Sequence, residues 1–268
     1  MCKRSANDPL IQLFVGRYGL NLLTVPREGS DVGDLYVAEQ GRVSAPGSVT
    51  ALFEPPLELP PVARGEAMAD VTGAISASVS AAAGLDLLGR FLTAFGAAGM
   101  GAAIAARFAT ARATTMRFSL AEATRDSIDP LVLGTRLLRS ALVENHPMVG
   151  PDRRYYLVTA VARSSSICIA AGQAAGASAG LDIDLGGLGG GEGVVAVDRA
   201  QGGAITFRSD RRLAFGVELH ELAVDRRDRR LKLRTTGAVA MLRSAGPQRP
   251  LVEPTLLGGP DGDAFVDL

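Results

Sequence analysis

The sequence has no tryptophan, only two cysteines and two histidines, and no excess of charge of either sign. Lys and Arg total 28, and so do Asp and Glu, so the chain carries no net charge that would draw it to nucleic acid. Cys2 and Cys168 allow one bridge at most, which excludes a disulfide-rich secreted scaffold and favours a reducing compartment. Because His146 and His220 are the only histidines, we expect no metal site and no catalytic metal centre.

The sequence also lacks a hydrophobic run long enough for a transmembrane helix. Between Arg90 and Arg107 lie 16 uncharged residues, whereas a spanning helix needs about 20. This run is rich in Gly and Ala, which favours a buried core helix. The opening "MCKRSANDPL" places Asn, Asp and Pro where a signal peptide has its apolar region, so we expect a cytosolic protein.

Local patterns predict an α+β fold, with helices in the first half and antiparallel strands in the second. Helices are predicted in "LIQLFVGRYG", in the Gly/Ala-rich run, and in "DPLVLGTRLLRSAL", where Asp129 precedes Pro130 as a helix start. The strands predicted before residue 150 are "LNLLTVP", "DVGDLYVAE", "MADVTGAISASVSAAA" and "TTMRFSLAEAT". Those predicted after it are "YYLVTAVAR", "SSSICIAAG", "GVVAVDR", "GAITFRS", "RLAFGVELHEL" and "RLKLRT".

One motif points to an enzyme. "GASAG" matches the G-x-S-x-G nucleophile elbow with Ser178 at its centre, and Asp198 or Asp210 and then His220 follow in the order of a hydrolase triad. An elbow needs a helix directly after it, but "LDIDLGGLGGGEG" follows, and glycine at that density disfavours a helix. A small serine hydrolase using Ser178 and His220 is therefore kept only as an alternative.

The last 25 residues, "SAGPQRPLVEPTLLGGPDGDAFVDL", differ in composition from the rest of the chain. They carry one basic and four acidic residues, a net charge of −3, which leaves residues 1–243 with +3. We therefore divide the chain into a body, residues 1–243, and a tail, residues 244–268. Removing the tail would expose a cationic body and whatever surface is covered by Leu256, Leu257, Phe265 and Val266 of the tail.

Cys2 has an unusual setting for a cysteine. Lys3 and Arg4 follow it and favour the thiolate, which is the nucleophilic form. An acyl chain attached there would contribute about 0.8 kcal/mol for each methylene group buried in protein or lipid. The pattern favours a lipid anchor over a thiol of no consequence.

Residues 7–37, "NDPLIQLFVGRYGLNLLTVPREGSDVGDLYV", resemble the amino-terminal segment of bacterial gasdermins. In that family a short helix follows an N-terminal cysteine and leads into a first strand that ends in a proline–arginine turn. The length of the chain, its α+β order and its short C-terminal peptide are similar too. The resemblance implies a twisted antiparallel sheet core with surrounding helices, like the gasdermin N-terminal domain.

The same resemblance implies a function. The resting protein would be a cytosolic monomer with its C-terminal peptide wrapped on the body, and Cys2 would carry palmitate. A partner protease, caspase-like or of another kind and often encoded nearby, would remove the peptide. The body would then bind lipids of the inner membrane, oligomerise, and open a large β-barrel pore that kills the infected cell as an antiphage defence. No catalytic residue, other cofactor or nucleic acid is implied.

Two details of this reading follow from the residues. A spanning strand needs about 9–11 residues, and residues 67–82 with 114–124 predict one extending hairpin, while 155–171 with 194–207 predict a second. Ordered pattern gives way to Pro and Gly near 242–250, and bonds ahead of Pro247 and Pro250 are poor protease sites. Cleavage is therefore predicted at Leu242, Arg243 or Ser244. A peripheral membrane-binding scaffold, which binds lipid without opening a pore, is the second alternative.

Overall fold

The computed structural model describes residues 14–39, 42–76, 89, 92–94, 115–150, 153–172, 196–200, 204–225 and 230–234. Within these residues eleven strands form one sheet, in which every pairing is antiparallel. The strands are β1 (Asn21–Arg27), β2 (Asp34–Glu39), β3 (Arg42–Ser48), β4 (Ala63–Ala67), β5 (Val71–Ser76), β6 (Thr115–Ala121), β7 (Thr124–Ser127), β8 (Arg153–Gly172), β9 (Ala196–Ala200), β10 (Ala204–Asp225) and β11 (Arg230–Leu233).

Two long paired strands, β8 with 20 residues and β10 with 22, run through the whole sheet. The outer edge of β8 pairs in turn with β2, β7 and β6, and that of β10 with β11, β1 and β9. A second strand lies outside each partner of β8, namely β3, β4 and β5. The sheet thus has three levels: a base level β3–β2–β8–β10–β11, a middle level β4–β7–β8–β10–β1, and a distal level β5–β6–β8–β10–β9.

A cluster of buried apolar side chains lies at the base and middle levels, and side chains of the distal level, among them Val71, Leu120 and Phe207, are buried as well. Residues 155–162 of β8, "YYLVTAVA", are all buried, as expected of a central strand covered on both faces. The largest side chains of this core include Tyr36, Tyr155 and Leu35, each about 1% exposed. The centre of the sheet therefore forms a rigid scaffold beneath the distal level.

One α-helix, α1 (Pro130–Arg139), packs on this core, as the sequence predicts. The Asp129 carboxylate accepts hydrogen bonds from the backbone N–H groups of Leu131, at 2.8 Å, and Val132, at 3.3 Å, which satisfies two donors at the start of the helix. Leu133 and Leu137 are fully buried. The structure confirms the predicted helix start. The sequence could predict it because a helix start depends only on adjacent residues.

The predicted N-terminal helix is described only from Phe14 onward, and residues 10–13 lie outside the described residues. A single π-helical turn, Phe14–Tyr18, ends at Gly19, whose φ of +67° is the left-handed conformation that glycine adopts without strain. A 3₁₀ turn covers Val49–Leu52, and the proline-rich segment 55–61 has no regular structure. Of the Gly/Ala-rich run, residue 89 and residues 92–94 are helical, and the remainder lies outside the described residues.

Three predicted strand boundaries are wrong. Two pairs of predicted strands are single strands in the structure: β8 contains both "YYLVTAVAR" and "SSSICIAAG", and β10 contains both "GAITFRS" and "RLAFGVELHEL". The polar residues where each pair meets lie at a bulge in the ladder between β8 and β10 and not at a turn. Conversely, "TTMRFSLAEAT" divides into β6 and the start of β7. The sequence patterns also missed β3 and β4, which are short edge strands rich in charge and small residues.

Candidate functional site

The distal level is the part of the sheet that corresponds to the predicted membrane hairpins. β5 and β6 pair from Val71 opposite Leu120 to Ser76 opposite Thr115, which confirms the first predicted pairing within the described residues. The second predicted pairing, of 155–171 with 194–207, is confirmed only in part within the described residues. Residues 167–170 of β8 pair with 204–207 of β10, and β9 pairs with the opposite edge of β10. The strand that neighbours β8 is therefore the start of β10, and β9 lies one strand further out.

The distal level is separated from the middle level by an irregular line across the sheet. On β10, Arg208 lies opposite Ser166 and Leu213 opposite Ser164, so residues 209–212 bulge out against Ser165 alone. At the same height β6 ends and β7 begins, with Glu122 between them at a φ of +53°. The pairing is thus interrupted on both sides of β8 at the same height. We call this line, formed by residues 122–123, 164–166 and 209–212, the junction.

The Ser164 hydroxyl fixes the junction from inside. Ser164 is fully buried, and its Oγ lies 2.6 Å from the carbonyl oxygen of Ala121 and 2.8 Å from that of Ser166. The same oxygen accepts a hydrogen bond of 3.1 Å from the Ser166 N–H. A hydroxyl therefore replaces the ladder hydrogen bonds that the interruption removes, and this explains why a serine tolerates full burial here.

A chain of charged residues ties β8 to its neighbours beside the junction, and we call it the buried clamp. Nε of Arg163 lies 3.3 Å from Oδ2 of Asp126, and both side chains are at least four-fifths buried. Oδ1 of Asp126 accepts from the Gly65 N–H at 2.8 Å, and Arg64 lies 3.5 Å from the same carboxylate. Arg64 also donates two hydrogen bonds, of 3.2 Å and 3.1 Å, to Asp31. The buried clamp joins β8, β7, β4 and the loop before β2.

The electrostatics of the buried clamp favour its ionised form. Burial by itself would raise the pKa of Asp31, but the hydrogen bonds and positive charge of Arg64, with a smaller effect from Arg163, bring that pKa below its ordinary value. The pKa of Arg64 is raised, first by its hydrogen bond to Asp31 and then by the carboxylate charge. Arg64 and Asp31 thus stabilise the charge of each other, and this pair stays ionised at neutral pH.

The N-terminal turn packs across the junction. The Phe14 ring, 1% exposed, stacks on Phe118 of β6 with a centroid distance of 6.1 Å. It also meets Phe215 of β10 edge-on at 6.1 Å. Since Phe118 belongs to the distal level and Phe215 to the middle level, Phe14 connects the two parts of the sheet that the junction divides.

Among the described residues of the hydrolase alternative, neither acidic residue lies near His220. Nδ1 of His220 lies 2.9 Å from Oγ1 of Thr159, and burial lowers its pKa despite the nearby charge of Glu218. Asp198 pairs opposite Thr206, which lies opposite Cys168, whereas His220 lies opposite Leu157.

The separation between these two positions is eleven residues of β8, from 157 to 168, or roughly 35 Å. Asp210 lies in the bulge opposite Ser165, roughly 25 Å from His220 by the same count. Ser178 lies outside the described residues, and the part of the chain that the structure describes holds no cluster of metal-ligating side chains.

The exposed face of α1 is unusually apolar. Leu131 is 82% exposed, Val132 41% and Leu138 44%, and Leu131 and Leu138 share one side of the helix because they are seven residues apart. Leu133 and Leu137 form the buried side of the helix, and Gly134, between that side and the exposed leucines, approaches β11, where an added Cβ atom would lie 3.4 Å from Leu233. We call Leu131, Val132 and Leu138 the apolar stripe. It lies beside the strand that leads toward the tail.

The other predicted site residues lie outside the described residues: Cys2, Leu242, Arg243, Ser244, Leu256, Leu257, Phe265 and Val266. None of the described helices is both long enough and apolar enough to cross a membrane. Sequence patterns missed the junction and the buried clamp. The only local signals for them are the polar clusters "RSSS" and "SDRR" within otherwise apolar strand patterns.

Comparison with known proteins gives consistent matches over most of the chain. The model of the Bacterial Gasdermin Family matches residues 23–236. Gasdermin bGSDM of Vitiosangium sp. (strain GDMCC 1.1324) is 30% identical over 251 residues, which cover 91% of this chain and 92% of that protein. The solved structure of a bacterial gasdermin from Bradyrhizobium tropiciagri is similar in fold, with a TM-score of 0.61 and 20% identity over 85% of this chain and 92% of that one.

Proposed function

Because this chain belongs to the bacterial gasdermin family, whose members form pores and are not enzymes, we propose that it is an autoinhibited effector of antiphage defence. Proteolytic removal of the tail activates it. The body then oligomerises in the inner membrane into a large β-barrel pore and causes cell death. A protease that is caspase-like or of another class, membrane lipids and further copies of the chain are its partners.

The observation that carries this proposal is the division of the sheet at the junction. The base and middle levels contain the cluster of buried side chains around residues 155–161 of β8, as well as α1 and the buried clamp, so they can keep their structure. The distal level is held to them by two continuous strands and by the packing of Phe14. Strands that lengthen on the far side of the junction reach the 9–11 residues that span a bilayer without unfolding the core.

The charges of tail and body support the inhibitory role of the tail. The tail carries −3 and the body +3, so cleavage at Leu242, Arg243 or Ser244 removes an acidic cover from a cationic body. Each basic residue near an anionic membrane surface contributes about 1 kcal/mol to binding. Loss of the tail therefore increases attraction to anionic lipids at the same moment as it frees the sheet.

The apolar stripe on α1 is a surface that the tail can cover. Leucines exposed together on one side of a helix indicate an interaction surface. The chain continues toward the tail from β11, the strand that packs on this helix. The large apolar side chains of the tail include Leu256, Leu257, Phe265 and Val266. Docking of these residues on the apolar stripe would make the interaction between tail and body both electrostatic and hydrophobic.

Palmitate on Cys2 would strengthen membrane attachment. A sixteen-carbon chain with about 0.8 kcal/mol for each buried methylene binds reversibly, and stable anchoring needs a second signal such as a basic surface. The cationic body supplies that second signal. The protein is then cytoplasmic while the tail is in place and moves to the inner membrane when it is cut.

One experiment tests the whole sequence of events. A recognition site for a specific protease is inserted between Arg243 and Ser244 of the full chain, and the protease is added in the presence of dye-filled anionic liposomes. Rapid dye release only after cleavage is the expected result, and a chain with a scrambled recognition site is the control. A cut chain that sediments with liposomes but releases no dye would establish a peripheral scaffold instead, and esterase activity that is lost in Ser178→Ala would establish the hydrolase.

A further inference from the structure

Six strands have only one partner within the described residues and so form edges of the sheet: β1, β3, β4, β5, β9 and β11. Unpaired backbone groups on an edge invite pairing with another chain, and charged residues or proline on the edge prevent it. Five of these strands carry such residues: Pro26 and Arg27 on β1, Arg42 and Pro46 on β3, Arg64 and Glu66 on β4, Asp198 and Arg199 on β9, Arg230 and Lys232 on β11. The sequence of β5, "VTGAIS", has neither.

The edge of β5 is covered in another way, by the hydroxyl group of Tyr18. The Thr72 N–H donates a hydrogen bond of 3.0 Å to the Tyr18 oxygen, and the Tyr18 hydroxyl donates one of 3.1 Å to the Thr72 carbonyl oxygen. Both backbone groups of Thr72 therefore point away from β6, toward the side where a further strand would pair. One phenol occupies both positions that such a strand would use at this residue.

The Tyr18 hydroxyl is held there by the N-terminal turn. Tyr18 is the last residue of the π-helical turn whose first residue, Phe14, is buried beside the junction, and the two rings lie 6.1 Å apart. The Arg17 guanidinium lies 5.5 Å from the centre of the Tyr18 ring. A single short turn has little stability of its own, so the cover depends on the packing of Phe14. Displacing this turn removes the cover.

We propose that Tyr18 is an edge guard, and that the edge of β5 at Thr72 is the surface that accepts a strand from a second copy of this chain once the N-terminal turn moves away. The inference rests on the proposed function, because it identifies where the copies join during assembly. The N-terminal turn and Cys2 belong to the same terminal segment. Anchoring that segment in lipid therefore couples membrane arrival to exposure of the edge.

A second copy fits this edge for two reasons. The distal level ends in β5 on one side and β9 on the other, so each copy offers two different edges. The uncharged edge of β5 accepts the strand, and β9, whose Asp198 and Arg199 disfavour pairing with a like edge, supplies it, so the contact repeats head to tail, as a ring requires. Moreover, the backbone N–H and C=O groups of every second residue of β5 point away from β6. The edge that can pair therefore continues from Thr72 to Ala74 and Ser76. Backbone hydrogen bonds along such a row provide affinity without requiring particular side chains.

Tyr18→Phe tests the guard because it removes the hydroxyl and leaves the ring. The matched control is Tyr156→Phe: Tyr156 lies on β8, and its buried hydroxyl has no hydrogen-bond partner among the described residues. Association of the full chain carrying the inserted protease site is measured by sedimentation, without membranes, before and after cleavage. After cleavage we expect Tyr18→Phe to associate at about a tenfold lower concentration than the parent, since two hydrogen bonds of modest net strength are lost. Tyr156→Phe should behave like the parent.

A suppressor separates edge exposure from general destabilisation. Thr72→Pro removes the outward N–H and blocks strand addition at that residue, so adding it to Tyr18→Phe should return association to the parent level. Hydrogen exchange of the Thr72 amide gives an independent reading, and we expect it to be about tenfold faster in Tyr18→Phe and unchanged in Tyr156→Phe. Unchanged association and unchanged exchange in Tyr18→Phe would overturn the guard. Because neither measurement uses membranes, absence of dye release from the cut parent would count against pore formation alone.

Discussion

Nε of Arg163 lies 3.3 Å from Oδ2 of Asp126, in an almost completely buried ion pair directly below the junction. Arg163 is the last residue of β8 that pairs with β7, and Asp126 is on β7 itself. The pair therefore fixes the level at which the sheet passes from its rigid core to the distal strands. Arg163 also donates a hydrogen bond of 3.1 Å to the Glu28 carbonyl oxygen, which joins the loop after β1 to the same place.

Breaking the buried clamp should destabilise the chain strongly. Asp126→Asn leaves Arg163 buried without its counter-ion, and loss of one partner of a buried pair costs about 3 kcal/mol. Urea unfolding of the full chain measures the change. Glu28→Gln is the control, because its ion pair with Arg211 is more than half exposed at both side chains and should contribute less than about 1 kcal/mol. Equal effects of the two substitutions would contradict the role of the buried clamp.

The conformation of Glu122 predicts an ordering of substitutions at the junction. Its φ of +53° is costly for residues other than glycine, by about 1 kcal/mol or more, and most costly for β-branched residues. Glu122→Gly should preserve or slightly raise the thermal midpoint, and Glu122→Val should lower it. The reverse order in differential scanning calorimetry would show that the strand break is not as described.

Protonation of His220 should lower the stability of the folded protein in mild acid. Burial lowers its pKa below the ordinary value of 6.5, so the unfolded chain binds its proton at higher pH than the folded chain does. The stability due to the neutral form is complete above pH 6.5 and decreases as pH falls through the folded-state pKa. Thermal midpoints measured between pH 7.5 and 5.5 should therefore fall, and His220→Asn should flatten that part of the curve. An equal slope in both proteins would contradict the assignment.

Substitutions in the apolar stripe should weaken the binding of the tail to the body. Replacing Leu131 and Leu138 by serine removes apolar contacts that the tail is proposed to make, without touching the buried side of α1. With the protease site inserted, the double variant should release dye from liposomes faster after cleavage, because the cut tail dissociates more readily. Replacing the exposed Thr135 of the same helix by serine is the control and should leave the rate unchanged. A double variant that matches the parent rate would place the tail elsewhere.

Cys2→Ser predicts a change in membrane attachment but not in folding. Loss of the acylated thiol should reduce the fraction of cut protein that sediments with membranes from cells, while urea unfolding of the full chain stays within about 0.5 kcal/mol of the parent. Intact-mass measurement of the membrane fraction checks the modification directly. A parent protein without added acyl mass after activation in cells would remove the lipid anchor from the proposed function.

The structure confirms what short-range sequence signals predicted. The start of α1 at Asp129 and Pro130, the end of the N-terminal turn at Gly19 and the strand character of β2 all depend on residues within one or two turns of chain. The resemblance in residues 7–37 identified the family, because a segment of that length carries enough specific positions. The strand boundaries inside β8 and β10 were wrong, since serine and arginine clusters in a bulge have the same composition as a turn.

By itself, the sequence determined the family, the α+β composition, the opposite charges of body and tail, and the helix start at Asp129. Only the tertiary structure decided which strands pair, where the junction crosses the sheet, that Arg163 meets Asp126 and that Tyr18 covers Thr72. The physical reason is separation along the chain. Local propensity acts over a few residues, whereas Tyr18 and Thr72 are 54 apart and Arg163 and Asp126 are 37 apart. Contacts at such distances exist only after the sheet has assembled.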